Sequence, residues 1–199
     1  MSDAPDTDRT APREVQIDAR QIRVLAHPLR MRLLGTLRVD GPATATALAE
    51  KLDTNTGATS YHLRQLAEVG LVAEDPDLGT GRQRWWRAAH DISNFTPTDF
   101  DDDPDAQAAV RWIEVNQVRM MAEQAERWLA AAPDQSREWR EAANLSDMVL
   151  TLPPARLRAL TDELWQVIMR YHDEPTTGEQ DARQVHIFLS AVPRMEGER

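Results

Sequence analysis

The stretch from Asn55 to Gly70, NTGATSYHLRQLAEVG, is the part of this chain whose reading decides the fold. At 3.6 residues per turn, Ala58, Tyr61, Leu63, Leu66 and Val69 make one broad apolar side. Thr56, Thr59, Ser60, His62, Arg64 and Gln65 fall mostly on the other. That second set carries one full charge, and the rest are hydroxyls, an imidazole and an amide. Such groups hydrogen-bond to base edges and phosphates. Gly70 suits the residue that stops a helix in a left-handed turn. A strand-like run, Leu71 to Glu74, follows it. The expectation is a helix with one side in a core and the other facing a nucleic acid.

The flanks agree with this reading. Asp18 can cap a first helix running to about Ala26, with Ile22, Leu25 and Ala26 inward. His27-Pro28 interrupts it, and Pro28 suits the first turn of a second helix. That helix continues to about Arg38 with Leu29, Leu33, Leu34 and Leu37 apolar, and Gly41-Pro42 ends it. Thr44 or Thr46 opens a short helix through Leu52, whose buried side is expected at Ala47, Leu48 and Leu52. Asp53, Thr54 and Asn55 form a polar turn. Two short helices joined tightly, the second polar on one side, are a helix-turn-helix pattern. Downstream, Leu71–Glu74 and Gln83–Arg87 flank a segment with two glycines and a proline, which predicts a hairpin. Arg82, Arg84 and Arg87 lie on or beside its returning strand, and Trp85 and Trp86 point to opposite faces.

Taken in order, HPLRMRLL (His27 to Leu34), ALAEKL (Ala47 to Leu52), TSYHLRQLAEVGLV (Thr59 to Val72) and a glycine-containing hairpin resemble the winged helix-turn-helix of ArsR-type bacterial transcriptional regulators. The resemblance covers about residues 17–90. It implies a homodimeric repressor or activator whose recognition helix enters the major groove of a double-stranded operator, an inverted repeat, while the wing grips the backbone. The family's Ser-x-His-Leu segment falls on Ser60, Tyr61, His62 and Leu63. The DNA-facing role is carried to Thr56, Thr59, Ser60, His62, Arg64 and Gln65, and on the wing to Arg82 and Arg84. The chain departs from the family at its metal chemistry. It has no Cys, and its histidines are His27, His62, His90, His172 and His186, with no credible metal-binding set among them. His172-Asp173-Glu174 reads as a helix end, where a His is favourable by the dipole. No metal and no cofactor are therefore expected.

The remainder divides into a flexible arm at 1–15, the winged helix at 16–90, a linker at 91–104 and a dimerisation and possible effector domain at 105–199. Arg9 and Arg13 fall in the arm, read as a solvated tail. Asp103 and Pro104 suit the start of a helix from Asp105 to about Ala132, about 42 Å long. Its apolar stripe runs through Ala106, Ala109, Val110, Ile113, Gln117, Met120, Met121, Ala125, Trp128 and Leu129. One small domain does not easily bury so long a stripe, and a second copy can. A short helix around Ser136–Ala143 carries Trp139. Asp147–Leu152 and Val185–Val192 read as strands around a helix from Pro153-Pro154 to His172, with Leu157, Leu160, Leu164, Ile168 and Tyr171 in register. Any effector is expected to be a small organic molecule near Trp112, Trp128, Trp139 or Trp165. The fold class is mainly α: an N-terminal winged helix-turn-helix, a long dimerisation helix and a small α+β C-terminal part.

Composition sets outer bounds. The net charge is -10, yet residues 12–90 hold 11 Arg or Lys against 9 Asp or Glu, while residues 91–199 hold 11 against 21. Only the first half suits an approach to phosphate. Of the 23 basic residues, only Lys51 is not Arg, a skew that GC-rich codon usage explains. The first 16 residues do not read as a signal peptide, and no apolar run reaches the roughly 18 residues a span needs. A cytoplasmic protein without membrane association is expected. No nucleophile motif, phosphate loop or metal triad points to an enzyme. The alternative is a winged-helix protein-interaction module, which would expose apolar residues on the second helix.

Overall fold

Helix α1 (Ala19–Leu25) starts where the sequence supplies a cap. The Asp18 carboxylate accepts from the Gln21 N–H, and the Gln21 side chain accepts from the Asp18 N–H. This is a computed structural model of the protein, and it describes residues 13–78, 83–173 and 181–195. Helix α2 (Pro28–Asp40) opens on His27, whose Nδ1 accepts from the Leu29 N–H at 3.1 Å, with Pro28 at its first position. Helix α3 (Ala45–Lys51) is capped by Thr44, and α4 (Thr56–Glu68) by Asn55, whose Oδ1 accepts from the Ala58 N–H at 2.8 Å. The turn between α3 and α4 passes through Asp53 at φ +50°, a left-handed conformation that Asp tolerates.

The end of α4 is closed by backbone geometry. Gly70 sits at φ +73°; its N–H donates to the Ala67 carbonyl, and the Leu71 N–H donates to the Leu66 carbonyl, both at 3.0 Å. This pattern of two return bonds is the Schellman motif, and its usual hydrophobic partners, here Leu66 and Leu71, are both fully buried. The chain leaves directly into β3 (Val72–Glu74), which pairs antiparallel with β4 (Trp85–Ala88) to form the wing. Trp86 is buried and Trp85 half-buried, as alternation requires. The core joins Ile22, Leu33, Leu34, Leu37, Leu48, Leu63, Leu66 and Leu71 with the first turns of α5 (Pro104–Ala131), at Ala106, Ala109, Val110 and Ile113. Asp103 starts α5 by accepting from the Ala106 N–H, and it pairs with Arg23 at 2.6 Å. These two hydrogen bonds, the backbone one first, hold its carboxyl below the usual range.

Several expectations are corrected. Ala47 is exposed, and Ala49, two residues on, takes its place in the core beside Leu48. A third wing strand, β2 (Ala43–Thr44), adds to β4 on the side away from β3; two residues are too few to show a period. Neither the arm nor the linker is structureless where the structure describes them. Strand β1 (Glu14–Gln16) lies parallel to β5 (Ile92–Asn94), and Phe100 at the end of a 3-10 turn (Pro97–Phe100) is buried. Arg13 is spent in this closure, its N–H and guanidinium both on the Asp91 carboxylate. Arg9 lies outside the described residues.

The chain divides into two compact units between Gln117 and Val118, within α5. The second unit holds the rest of α5, then α6 (Arg137–Ala142) and α7 (Pro154–Asp173). Asp147–Leu152 and Val185–Val192 are not strands: among the described residues they pair with nothing, and a strand exists only through its ladder. No described residue of this unit is buried. On the α5 stripe, burial stops after Ile113; Gln117, Met120 and Leu129 are exposed, and Met121, Ala125 and Trp128 are half-exposed. No helix among the described residues is long and apolar enough to cross a membrane.

Two glycines should respond oppositely to the same change. Gly70→Ala places a Cβ in a left-handed residue with open space around it, so the cost is conformational, about 1–2 kcal/mol. Gly35→Ala lies mid-helix in α2, also in open space, and should stabilise by about 0.4–1 kcal/mol. Urea unfolding of both variants checks the pair of signs.

Candidate nucleic-acid interface

Thr59, Leu63 and Leu66 are fully buried and define the inward side of α4. At roughly 100° per residue, the opposite side carries Gly57, Tyr61, Arg64 and Glu68, with Ser60 and Gln65 at its margins. All but Ser60 and Gln65 are exposed, and those two are half-buried. The outward face is thus a glycine, a phenol, a guanidinium and a carboxylate. Glu68 accepts from the Gln65 amide at 3.1 Å. Near the end of α4 this carboxylate discourages phosphate, but a carboxylate can accept from a cytosine amino group.

The wing turns toward this face. Thr44 and Thr46 at the start of α3, Thr56, Ser60 and Arg64 on α4, and Gln83 and Arg84 on the returning wing segment line one cleft of about 320 Å³. Trp86 also lines the cleft, from within the core. Four of the expected DNA-facing residues, Thr56, Ser60, Arg64 and Arg84, are brought together here. Arg84 rests on Glu74 at 2.9 Å in an exposed pair, an interaction worth little on average and easily exchanged for a phosphate. Arg82 lies outside the described residues.

Two expected contacts do not face outward. Thr59 is fully buried, and among the described residues its Oγ1 has no hydrogen-bond partner. A threonine differs from valine by one atom, so its hydroxyl signals polarity on a helical wheel while its shape suits the core. His62 occupies the flank of α4 toward α2. Its ring packs on His27 at 4.4 Å between centroids and edge-on to Tyr61 at 5.1 Å, and its Nδ1 is buried. Desolvation, then His27, then Arg30 lower its pKa. Tyr61, expected inward as an aromatic, is 51% exposed. Its own position, between Glu68 and Gln65 on the wheel, is the signal that finds it. Arg38 is not a free cation: it donates to the His90 carbonyl and to Ser93 Oγ, and burial lowers its pKa.

Elsewhere, Trp112 packs against the first unit's core, and the Arg183 guanidinium lies 4.9 Å over the Trp139 ring. Trp128 is half-buried on α5 and Trp165 is exposed on α7. Among the described residues no three His, Asp or Glu side chains converge as metal ligands.

This geometry defines the class. A helix-turn-helix followed by a three-stranded wing makes the first unit a winged helix-turn-helix. The family model described as a helix-turn-helix domain matches residues 25–75, from the end of α1 to the start of the wing. No curated protein matches the chain significantly. Among solved structures, the chain is similar to the homodimeric winged helix-turn-helix DNA-binding domain of a possible ArsR-family transcriptional regulator from Mycobacterium bovis. The identity is 28% over 36% of this chain and 62% of that one, with a TM-score of 0.32. A possible transcriptional regulator for arsenical resistance is 29% identical over 52% of this chain and 95% of its own, at TM-score 0.32. A MarR family regulator from Neisseria meningitidis is 17% identical over 75% and 77%, at 0.28.

Thr59→Val tests the inward assignment. Replacing an unpartnered buried hydroxyl with a methyl of similar shape should leave stability unchanged or raise it by about 1 kcal/mol. Calorimetry checks this; a large destabilisation would mean the hydroxyl has a partner.

Proposed function

We propose that this chain is a sequence-specific DNA-binding transcriptional regulator that acts as a homodimer in the cytoplasm on an inverted-repeat operator. The observation that carries the reading is the cleft shared by α3, α4 and the wing, which sets Arg64 and Ser60 of the recognition helix beside Arg84 of the wing. Tyr61, Arg64 and Gln65 reach base edges, and Arg84 meets the backbone. Support for the dimer comes from the second unit: among the described residues, 17 of the 21 large apolar residues that are exposed lie between Val118 and Met195. That much uncovered apolar surface is typical of an obligate interface, which takes about 20–30 residues a side. Two copies place two recognition helices on one face of the duplex, with half-sites about one helical turn apart or a multiple of it. The signal is a small organic molecule; the Trp-bearing second half and the absence of Cys from the sequence support this.

Selection of fragments from random duplex DNA supplies the operator for a direct test. Arg64→Ala and Gln65→Ala should lose discrimination between operator and random duplex, roughly 1–3 kcal/mol for a good bidentate pair. Arg84→Ala should weaken binding to all sequences alike and lower the salt slope by about one unit. If Arg84→Ala altered operator binding alone, the division between helix and wing would be wrong. Sedimentation should show a dimer at micromolar concentration, and Val149→Glu should shift it toward monomer; a monomeric wild type would end the dimer reading.

A further inference from the structure

The recognition helix is joined to α2 through two imidazoles, and this joint has a built-in chemical requirement. His27 closes the start of α2 with Nδ1 as the acceptor for the Leu29 N–H. That nitrogen must carry a lone pair, so the neutral ring holds its proton on Nε2. Protonation adds the second proton at Nδ1 and removes the cap. His62 stacks on that ring, tilted by 35° with centroids 4.4 Å apart, and its own Nδ1 is buried with no partner among the described residues. Arg30, one turn into α2, faces both rings and donates its Nε–H to the Val24 carbonyl. Tyr61 is the remaining titratable neighbour, edge-on to His62 and acting on Arg30. No carboxylate from α1, α3 or the wing acts on either imidazole among the described residues. A proton added to either ring therefore meets a second imidazole and a guanidinium, and no anion.

We infer that the His27–His62 contact is an acid-labile clasp: it positions the recognition helix against α2 while both rings are neutral, and it opens when they protonate, so that operator binding is lost as the medium acidifies. This rests on the DNA-binding reading above and adds a regulatory input to it. Burial lowers the pKa of both rings, in the same sense as the geometry. The sign follows. Above about 6.5 both rings are neutral whether docked or released, and the clasp contributes fully. As the pH falls through that value, the released rings take up protons before the docked ones do, and the docked state loses its advantage. A His62 that touched phosphate would behave in the opposite way, since its imidazolium would tighten binding in acid.

The test uses the full chain and an operator duplex selected at about pH 8, well above the imidazole range. Affinity for that duplex and melting temperature are followed down to about pH 5.5 for wild type and for His27→Asn/His62→Gln. Asn retains a capping acceptor and Gln retains polarity, and neither titrates. Wild-type affinity should fall about tenfold across this range, while that of the double variant changes less than about threefold. Melting should show the same contrast. If the double variant does not fold, His27→Asn alone should flatten both profiles in part. Tighter wild-type binding in acid would overturn the clasp, as would variant profiles as steep as the wild type's in both readouts. If the wild type selects no duplex at all, the DNA-binding reading fails by itself. Melting then decides the clasp: a steeper acid loss in the wild type supports it, and equal slopes overturn it.

Discussion

Leu66 and Leu71 meet over Gly70, and the interface depends on that contact. The helix has to end where its inward face still reaches the core, and the next strand has to leave in the direction of the wing. Gly70 at φ +73° permits the reversal, and burial of the two leucines makes it favourable. With α4 held by Leu63 and Leu66 on one side and continued into β3 at the other end, the recognition face and the wing have one relative geometry. The cleft between them is its product.

The electrostatics match this arrangement without a strongly basic surface. The first 90 residues are close to neutral, and their arginines are divided between positions that close the fold and positions at the cleft. Arg13, Arg23 and Arg38 close the fold against Asp91, Asp103 and the His90 carbonyl. Arg64 and Arg84 remain at the cleft. On the proposed DNA-binding reading, a chain of net charge -10 gains little from general attraction to DNA, so affinity comes from a few placed contacts, which favours discrimination over non-specific binding. The second unit stands in contrast: among its described residues no apolar side chain is buried and its two apolar extended segments lack a ladder.

Local signals carried the helices well because caps are local chemistry. Asp18, His27-Pro28, Thr44, Asn55, Gly70 and Asp103 each act on backbone groups within four residues, so helix starts and stops were legible from the string of residues alone. The wing hairpin was legible for the same reason. Pairings between distant segments were not. Nothing in Glu14–Gln16 indicates Ile92–Asn94, and a two-residue strand at Ala43–Thr44 has no period to detect. The extended reading of 147–152 and 185–192 picked out apolar runs, which supply no partner strand by themselves.

The sequence by itself determined which residues become helices, where the helix-turn-helix lies and that its second helix is amphipathic, because these follow from spacing and capping within a few residues. Only the tertiary structure decided which polar residues that helix spends inward. A wheel separates polar from apolar residues, but burial depends on what stands opposite. Thr59 faces the core and finds apolar neighbours its shape can fill, His62 faces α2 and finds His27, and Tyr61 meets only the edge of His62 and stays 51% exposed.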